Sequence, residues 1–405
     1  MSTAEIIAII AGAAALGAVL QPLSARFGIP HRALLMLTGF LGSELLVGAG
    51  VDTGLRWYHF DEIVLYLVVP VLVFEGALSI NFRAARPWLP FVLLLAVPGM
   101  LLTAILTGLG LFVMVGHPVG FPLAVAMLAG IIVAATDPGA ITGAIRGAVP
   151  GRDVVTWLEG ESLFSDAAAI VLYTLILGLA VASEPPPPAS DVALRFSFVL
   201  AGGLAAGVTA GIMWRYFDAF ISREDVSAVL SVAIVYGVHS VCQSFLDVSG
   251  VLAVLAFALI ARRDDRDLAP GVLNTWRIFG FFAETAVFIV AGATVTWALF
   301  RDQWLAMLIG IVAATSVRFV MVALLVPVWN AASDPQRRIS ATQGLCLAGG
   351  CGRGAVALAL ALSLPLELEG WYTVQAVVYG VVMFFLFLQA PLFSRLLARR
   401  LGNAN

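Results

Sequence analysis

Apolar runs of about 20 residues, separated by short polar stretches, repeat along the whole chain. A run of that length is what an α-helix needs to cross a hydrocarbon core of roughly 30 Å. By that rule thirteen spans are predicted. They run roughly over 4–24, 30–49, 61–80, 87–115, 119–147, 157–182, 191–217, 225–246, 248–262, 273–299, 303–329, 339–364 and 370–394. The faintest boundary is Asp247-Val248-Ser249-Gly250, between the eighth and the ninth. The expected fold is an all-α polytopic membrane protein.

Two of these spans read poorly as continuous helices. The fifth contains Asp137-Pro138, and proline removes a backbone donor and disfavours helix in the residue before it. The twelfth contains Ala348-Gly349-Gly350-Cys351-Gly352-Arg353-Gly354, a glycine density that invites unwinding. Five and twelve are an odd number of spans apart, so they run in opposite directions. This predicts two inverted repeats, residues 1–182 (spans one to six) and 225–400 (spans eight to thirteen), with 183–224 and span seven as connector. Interrupted helices at matching places in two halves point to a transport site at mid-membrane. Asp137 and Arg353 are placed to neutralise the dipole ends of the half-helices, a structural role.

Arginine placement orients the spans. Loops after the odd-numbered spans, with their flanks, carry Arg26 and Arg32, Arg83 and Arg86, Arg146 and Arg152, Arg215 and Arg223, Arg262, Arg263, Arg266 and Arg277, and Arg337 and Arg338. The alternate loops hold only Arg56, Arg195 and Arg301, and the stiff Glu184-Pro185-Pro186-Pro187-Pro188. The positive-inside rule then puts the N-terminus outside and the C-terminus, with Arg395, Arg399 and Arg400, in the cytoplasm of a cell (inner) membrane.

Composition sharpens this. The chain is 61% hydrophobic and 12% charged, where soluble domains average about 25% charged residues. A net charge of −3 gives no argument for a nucleic-acid partner. All 22 basic residues are Arg, which excludes lysine Schiff-base chemistry. Cys242, Cys346 and Cys351 have no metal-ligand spacing and read as packing residues. The first span lacks a basic n-region and reads as a retained helix rather than a signal peptide. No Walker motif is present, and no cytosolic regulatory domain is expected after Arg400, which argues against an ATP-driven pump.

The charges inside the spans carry the chemistry. A charged side chain at bilayer centre costs at least about 2.5–3.5 kcal/mol, so intramembrane carboxylates ask for a function. They cluster in Thr136-Asp137-Pro138 and Glu159-Gly160-Glu161-Ser162-Leu163-Phe164-Ser165-Asp166. Ser162 and Asp166 are four apart on a helix and share a face, as do Glu161 and Ser165. A hydroxyl and a carboxylate on one stripe are oxygen ligands for a hard monovalent cation such as Na⁺. Thr136, through its hydroxyl and a carbonyl freed by the break, and Glu75 in the third span are further candidates. Arg318 is isolated in the eleventh span and needs a partner, for which Glu161 is chosen. Asp166 is then the carboxylate left to exchange. Burial disfavours a carboxylate's charge and a bound cation favours it. A proton and a cation therefore compete for one group, which suffices for antiport. Glu284 and His239 read as packing residues.

At these motifs, and at Leu72-Val73-Phe74-Glu75-Gly76-Ala77-Leu78 and Gly349-Gly350-Cys351-Gly352-Arg353-Gly354-Ala355-Val356, the chain resembles the NhaP/NHE-type sodium/proton antiporters over nearly its whole length. The resemblance implies a thirteen-helix homodimer with a dimerisation part and a moving six-helix core. It implies cation ligation by Asp166, Ser162, Glu75 and the Thr136 region, with Glu161 paired to Arg318. It also implies electroneutral, elevator-like exchange of Na⁺ or Li⁺ for H⁺, with no cofactor beyond the transported ions. One departure stands out: the family typically has Asn-Asp where this chain has Ser165-Asp166. Serine adds no charge but offers fewer hydrogen-bonding groups, which keeps K⁺ or another cation as an alternative substrate. A cation channel would show a repeated filter sequence, and an intramembrane hydrolase a Ser-His or metal set. Neither pattern is present.

Overall fold

A computed structural model of the chain describes residues 3–27, 29–50, 63–116, 121–148, 153–181, 188–218, 220–221, 223–262 and 268–402. Arg56, Arg152, Arg263, Arg266 and 184–187 lie outside the described residues. The helical segments group into thirteen runs: α1 Thr3–Phe27, α2 His31–Gly48, α3 Val64–Ser79, α4 Phe82–Val115, α5, α6 Asp153–Val181, α7 Ala189–Asp218, α8 Glu224–Ser244, α9 Gly250–Ala261, α10 Pro270–Thr294, α11 Trp297–Ala332, α12 and α13 Trp371–Ala398. The fifth is split into α5a Leu123–Ala134 and α5b Thr142–Ala148, the twelfth into α12a Ala341–Gly349 and α12b Ala355–Leu362. Seven of the described helices are long and apolar enough to cross a membrane.

Local chemistry explains where helices begin. Ser340 caps α12a in a reciprocal box with Gln343, each side chain meeting the other residue's backbone N–H. Thr296 caps α11, and Pro270 opens α10 from a position where its missing N–H costs nothing. The faint boundary before Gly250 is a built turn. Asp247 takes φ 52°, a left-handed conformation that Asp tolerates. Ser249 then accepts the Leu252 N–H at 3.1 Å and starts α9.

The helices pack as two bundles. One holds α1, α2, α3, α7, α8, α9 and α10; the other holds α4, α5, α6, α11, α12 and α13. Each bundle draws helices from both sides of the expected 183–224 connector, so chain halves and packing units do not coincide. Small residues let backbones approach closely, as membrane helices require. Between α2 and α10, a Cβ on Gly39 would lie 2.2 Å from the Ile289 carbonyl oxygen, and one on Gly292 would lie 2.1 Å from that of Met36. The bundles meet along α12b with α10 and α3, and along α6 with α3 and α9. The split helices cross at that seam.

Candidate cation site

At the crossing, both interrupted helices run extended and pair once. The Asp137 N–H donates to the Gly352 carbonyl at 2.8 Å, and the Gly352 N–H donates back to the Asp137 carbonyl at 3.0 Å. Pro138 on one strand and the glycines on the other release backbone groups from helix, and the pair re-satisfies two of each. A membrane interior tolerates open backbone only on such terms.

α6 lies beside the crossing and turns three faces to it. Toward α11, Glu161 is 1% exposed and Arg318 is 3% exposed, which excludes water from the pair. Arg318 Nη1 donates to Glu161 Oε1, and Nη2 donates to Oε2 at 2.8 Å. Arg318 also donates to the Leu347 carbonyl, from Nη2 at 2.8 Å and from Nε at 3.3 Å. Leu347 is in the last turn of α12a, where carbonyls lack intrahelical donors. Arg318 therefore serves that negative end, a role expected of Arg353. Arg353 is buried; among the described residues its Nη1 donates to the adjacent Gly352 carbonyl at 3.3 Å and its Nε finds no acceptor.

Toward α5, Ser162 and Ser165 fasten the helix to the break. The Ser162 hydroxyl donates to the Thr136 carbonyl at 2.6 Å. Ser165 Oγ lies 3.0 Å from the Thr136 hydroxyl and donates to the Ser162 carbonyl at 3.1 Å. Ser165 is fully buried and absent from the walls of the cavity, as is Thr136. The Ser165 hydroxyl points to the break because the Thr136 N–H and hydroxyl both meet it there.

Toward the seam, Asp166 faces a cavity of about 300 Å³. Glu75, Ser162, Glu159, Asp137, Glu284 and Arg32 share its walls. Asp166 is partly buried and, among the described residues, makes no hydrogen bond or ion pair. Glu75 reaches in from α3 across Gly280, where a Cβ would lie 2.6 Å from its Cγ. Glu159 is held by Arg146 at 2.7 Å, at the rim. The donor set is all oxygen, suited to a hard cation rather than a thiophilic one.

Two groups here were assigned differently from the sequence. The sequence places Arg32 with a cytoplasmic loop and reads Glu284 as a packing residue. In the structure Arg32 stands in the first turn of α2 and bridges both Glu284 and Asp137, with Nη1 2.6 Å from Asp137 Oδ2. Glu284 is in α10 and pairs through Arg32 Nε. A lone acid and a lone base on two apolar spans was the available signal, because each needs a counter-charge in lipid. Asp137 sits at the N-terminus of α12b, where a Cβ on Gly354 would lie 1.7 Å from its Oδ2. His239 is buried with its ring edge-on to Tyr66, away from this cavity. The three cysteines are buried and form no disulfide.

Comparison with known proteins bears on this geometry. The family profile described as "Sodium/hydrogen exchanger, transmembrane" matches residues 12–399. A Na(+)/H(+) antiporter, ApNhaP, of Aphanothece halophytica is 28% identical over 368 residues, covering 89% of this chain and 68% of that protein. The low-affinity Na(+)/H(+) antiporter NhaS1 of a Synechocystis strain is 26% identical, with the same two coverages, 89% and 68%. The solved structure of the sodium proton antiporter MjNhaP1 from Methanocaldococcus jannaschii at pH 8 superposes with a TM-score of 0.82. It is 19% identical, with 96% of this chain and 100% of that one covered, a likeness of fold.

Proposed function

The chain belongs to the sodium/hydrogen exchanger family, and from that premise we propose that it exchanges Na⁺ or Li⁺ for H⁺, one for one, by alternating access, with Asp166 as the shared carboxylate. One observation carries the reading. Of the three carboxylates that α6 brings to this region, Glu161 is consumed by Arg318, Glu159 is held by Arg146 at the rim, and Asp166 faces an oxygen-lined cavity without a partner among the described residues. A proton on Asp166 removes the charge a cation needs; a cation displaces the proton. Ser162 and Glu75 line the same cavity and complete the oxygen set with water. Neutral exchange follows if one carboxylate titrates, because each cycle carries one positive charge in each direction.

The cavity is bounded by Ser79, Ile80, Thr142 and Glu159, beside the loops that the arginine pattern assigns to the cytoplasm. We therefore read this conformation as open inward, in a cell membrane with the C-terminus inside. The seam between the bundles is where movement would expose Asp166 to the other side. A homodimer is proposed on family grounds. Ser165 faces Thr136 rather than the cavity, so it lends no support to a K⁺-selective site.

The test is reconstitution into liposomes with an internal pH dye and an imposed proton gradient. Na⁺ and Li⁺ are expected to dissipate the gradient in wild type and not in Asp166→Asn. Retained exchange in Asp166→Asn, or none in folded wild type, refutes the reading.

A further inference from the structure

The cation cavity contains a cation of its own. Arg32 sits on its wall, fixed by more than one contact. Nη1 lies 2.6 Å from Asp137 Oδ2 and Nε donates to Glu284 Oε1. Its guanidinium carbon stands 5.9 Å from the centre of the Phe288 ring, within cation–π range. The guanidinium presses on the backbone at Gly139, where a Cβ would fall 2.3 Å from Nη1. The other oxygen of Asp137 is taken as well: Oδ1 accepts the Gly139 N–H at 2.8 Å. So neither oxygen of Asp137 is free, although the residue lines the cavity.

Position adds a second point. Arg32 and Glu284 stand on α2 and α10 of one bundle, and Asp137 stands on the split helix of the other. The Arg32–Asp137 bond therefore crosses the seam. Arg32 shares the cavity wall with both Asp166 and Glu75.

We propose that Arg32 is a positioning residue that withholds Asp137 and Glu284 from the transported cation, leaving Asp166 as the carboxylate that binds it and holding cation affinity down. This rests on the reading of the cavity as a monovalent-cation site. Without Arg32, Asp137 and Glu284 would stand unpaired on the same cavity wall as Asp166 and Glu75, adding negative charge that favours a bound cation. Arg32 cancels one charge and occupies two side chains. Arginine suits this better than lysine because its planar fork meets two carboxylates at once.

The test is cation binding by the purified full-length chain, read as cation-dependent thermal stabilisation at alkaline pH, with Na⁺ and Li⁺ titrated separately. A ligand that binds only the native state raises its stability in proportion to ln(1 + [L]/Kd), so the titration yields an apparent Kd. Arg32→Gln is expected to tighten that Kd by about tenfold, the factor that about 1.4 kcal/mol gives. Adding Asp137→Asn to it should return binding toward wild type, and Arg32→Lys, which keeps the charge but not the fork, should fall between wild type and Arg32→Gln. Should Arg32→Gln fail to fold, Arg32→Gln/Glu284→Gln leaves only Asp137 unpaired and should tighten Kd in the same direction by a smaller factor. Unchanged or weaker binding in these variants overturns the inference, as does absence of any cation response in wild type and variants alike. Binding that tightens as stated, in a wild type that binds Na⁺ but does not exchange it in liposomes, leaves the inference standing and refutes the proposed function.

Discussion

Glu161 and Asp166 stand five residues apart on α6, about 140° around the helix, and their surroundings are opposite. Glu161 is dry, bidentate with Arg318, and joined through it to the last turn of α12a. Asp166 lies at a cavity wall, faces other carboxylates and holds no partner among the described residues. A buried charge with full pairing is a fixed part of the scaffold. A partly buried charge without a partner is free to change its state. One helix therefore supplies both a structural clasp and an exchange site, and the difference is made by what the neighbouring helices bring.

The clasp breaks with the largest effect. Arg318→Ala leaves Glu161 buried and unpaired, and is expected to lower stability by about 3–5 kcal/mol. Thermal unfolding in detergent measures this. The apolar double replacement Glu161→Leu/Arg318→Met should cost less than Arg318→Ala alone, because no charge is stranded. If the single and double variants unfold alike, the pair is not the clasp described here.

A smaller effect is expected where packing, not charge, holds the scaffold. Gly292→Leu drives a side chain into the Met36 carbonyl between α2 and α10, which should cost about 1–3 kcal/mol as overpacking. Ser340→Ala removes the cap of α12a and should cost about 1 kcal/mol. Asp166→Asn should leave unfolding almost unmoved, since the carboxylate makes no hydrogen bond or ion pair among the described residues, while exchange disappears. A large loss of stability in Asp166→Asn would move Asp166 to the structural side of the comparison.

The breaks and the clasp were legible for local reasons. Pro138 removes a donor, the run from Gly349 to Gly354 lacks side chains, and Arg318 is the single base in a long apolar span. The cavity's other half was not. Arg32 follows Pro30 at a span edge, where an arginine normally reports only which side is cytoplasmic. Glu284 belongs to a span distant in sequence, and only the close packing of α2 on α10 through Gly39 and Gly292 brings the two charges together. The spacing of Ser165 from Glu161 gives a helix face but not the neighbour on that face, which is Thr136.

The central claim is that one carboxylate is shared by proton and cation. The most direct test is the apparent KM for Na⁺ measured in liposomes across a pH series, with Vmax determined at each pH. Competition at Asp166 predicts that KM rises as pH falls, by up to about tenfold per pH unit once the carboxylate is mostly protonated. It also predicts a plateau in KM at alkaline pH and little change in Vmax at saturating Na⁺. A KM that does not vary with pH, with Vmax carrying the whole dependence, would contradict the account.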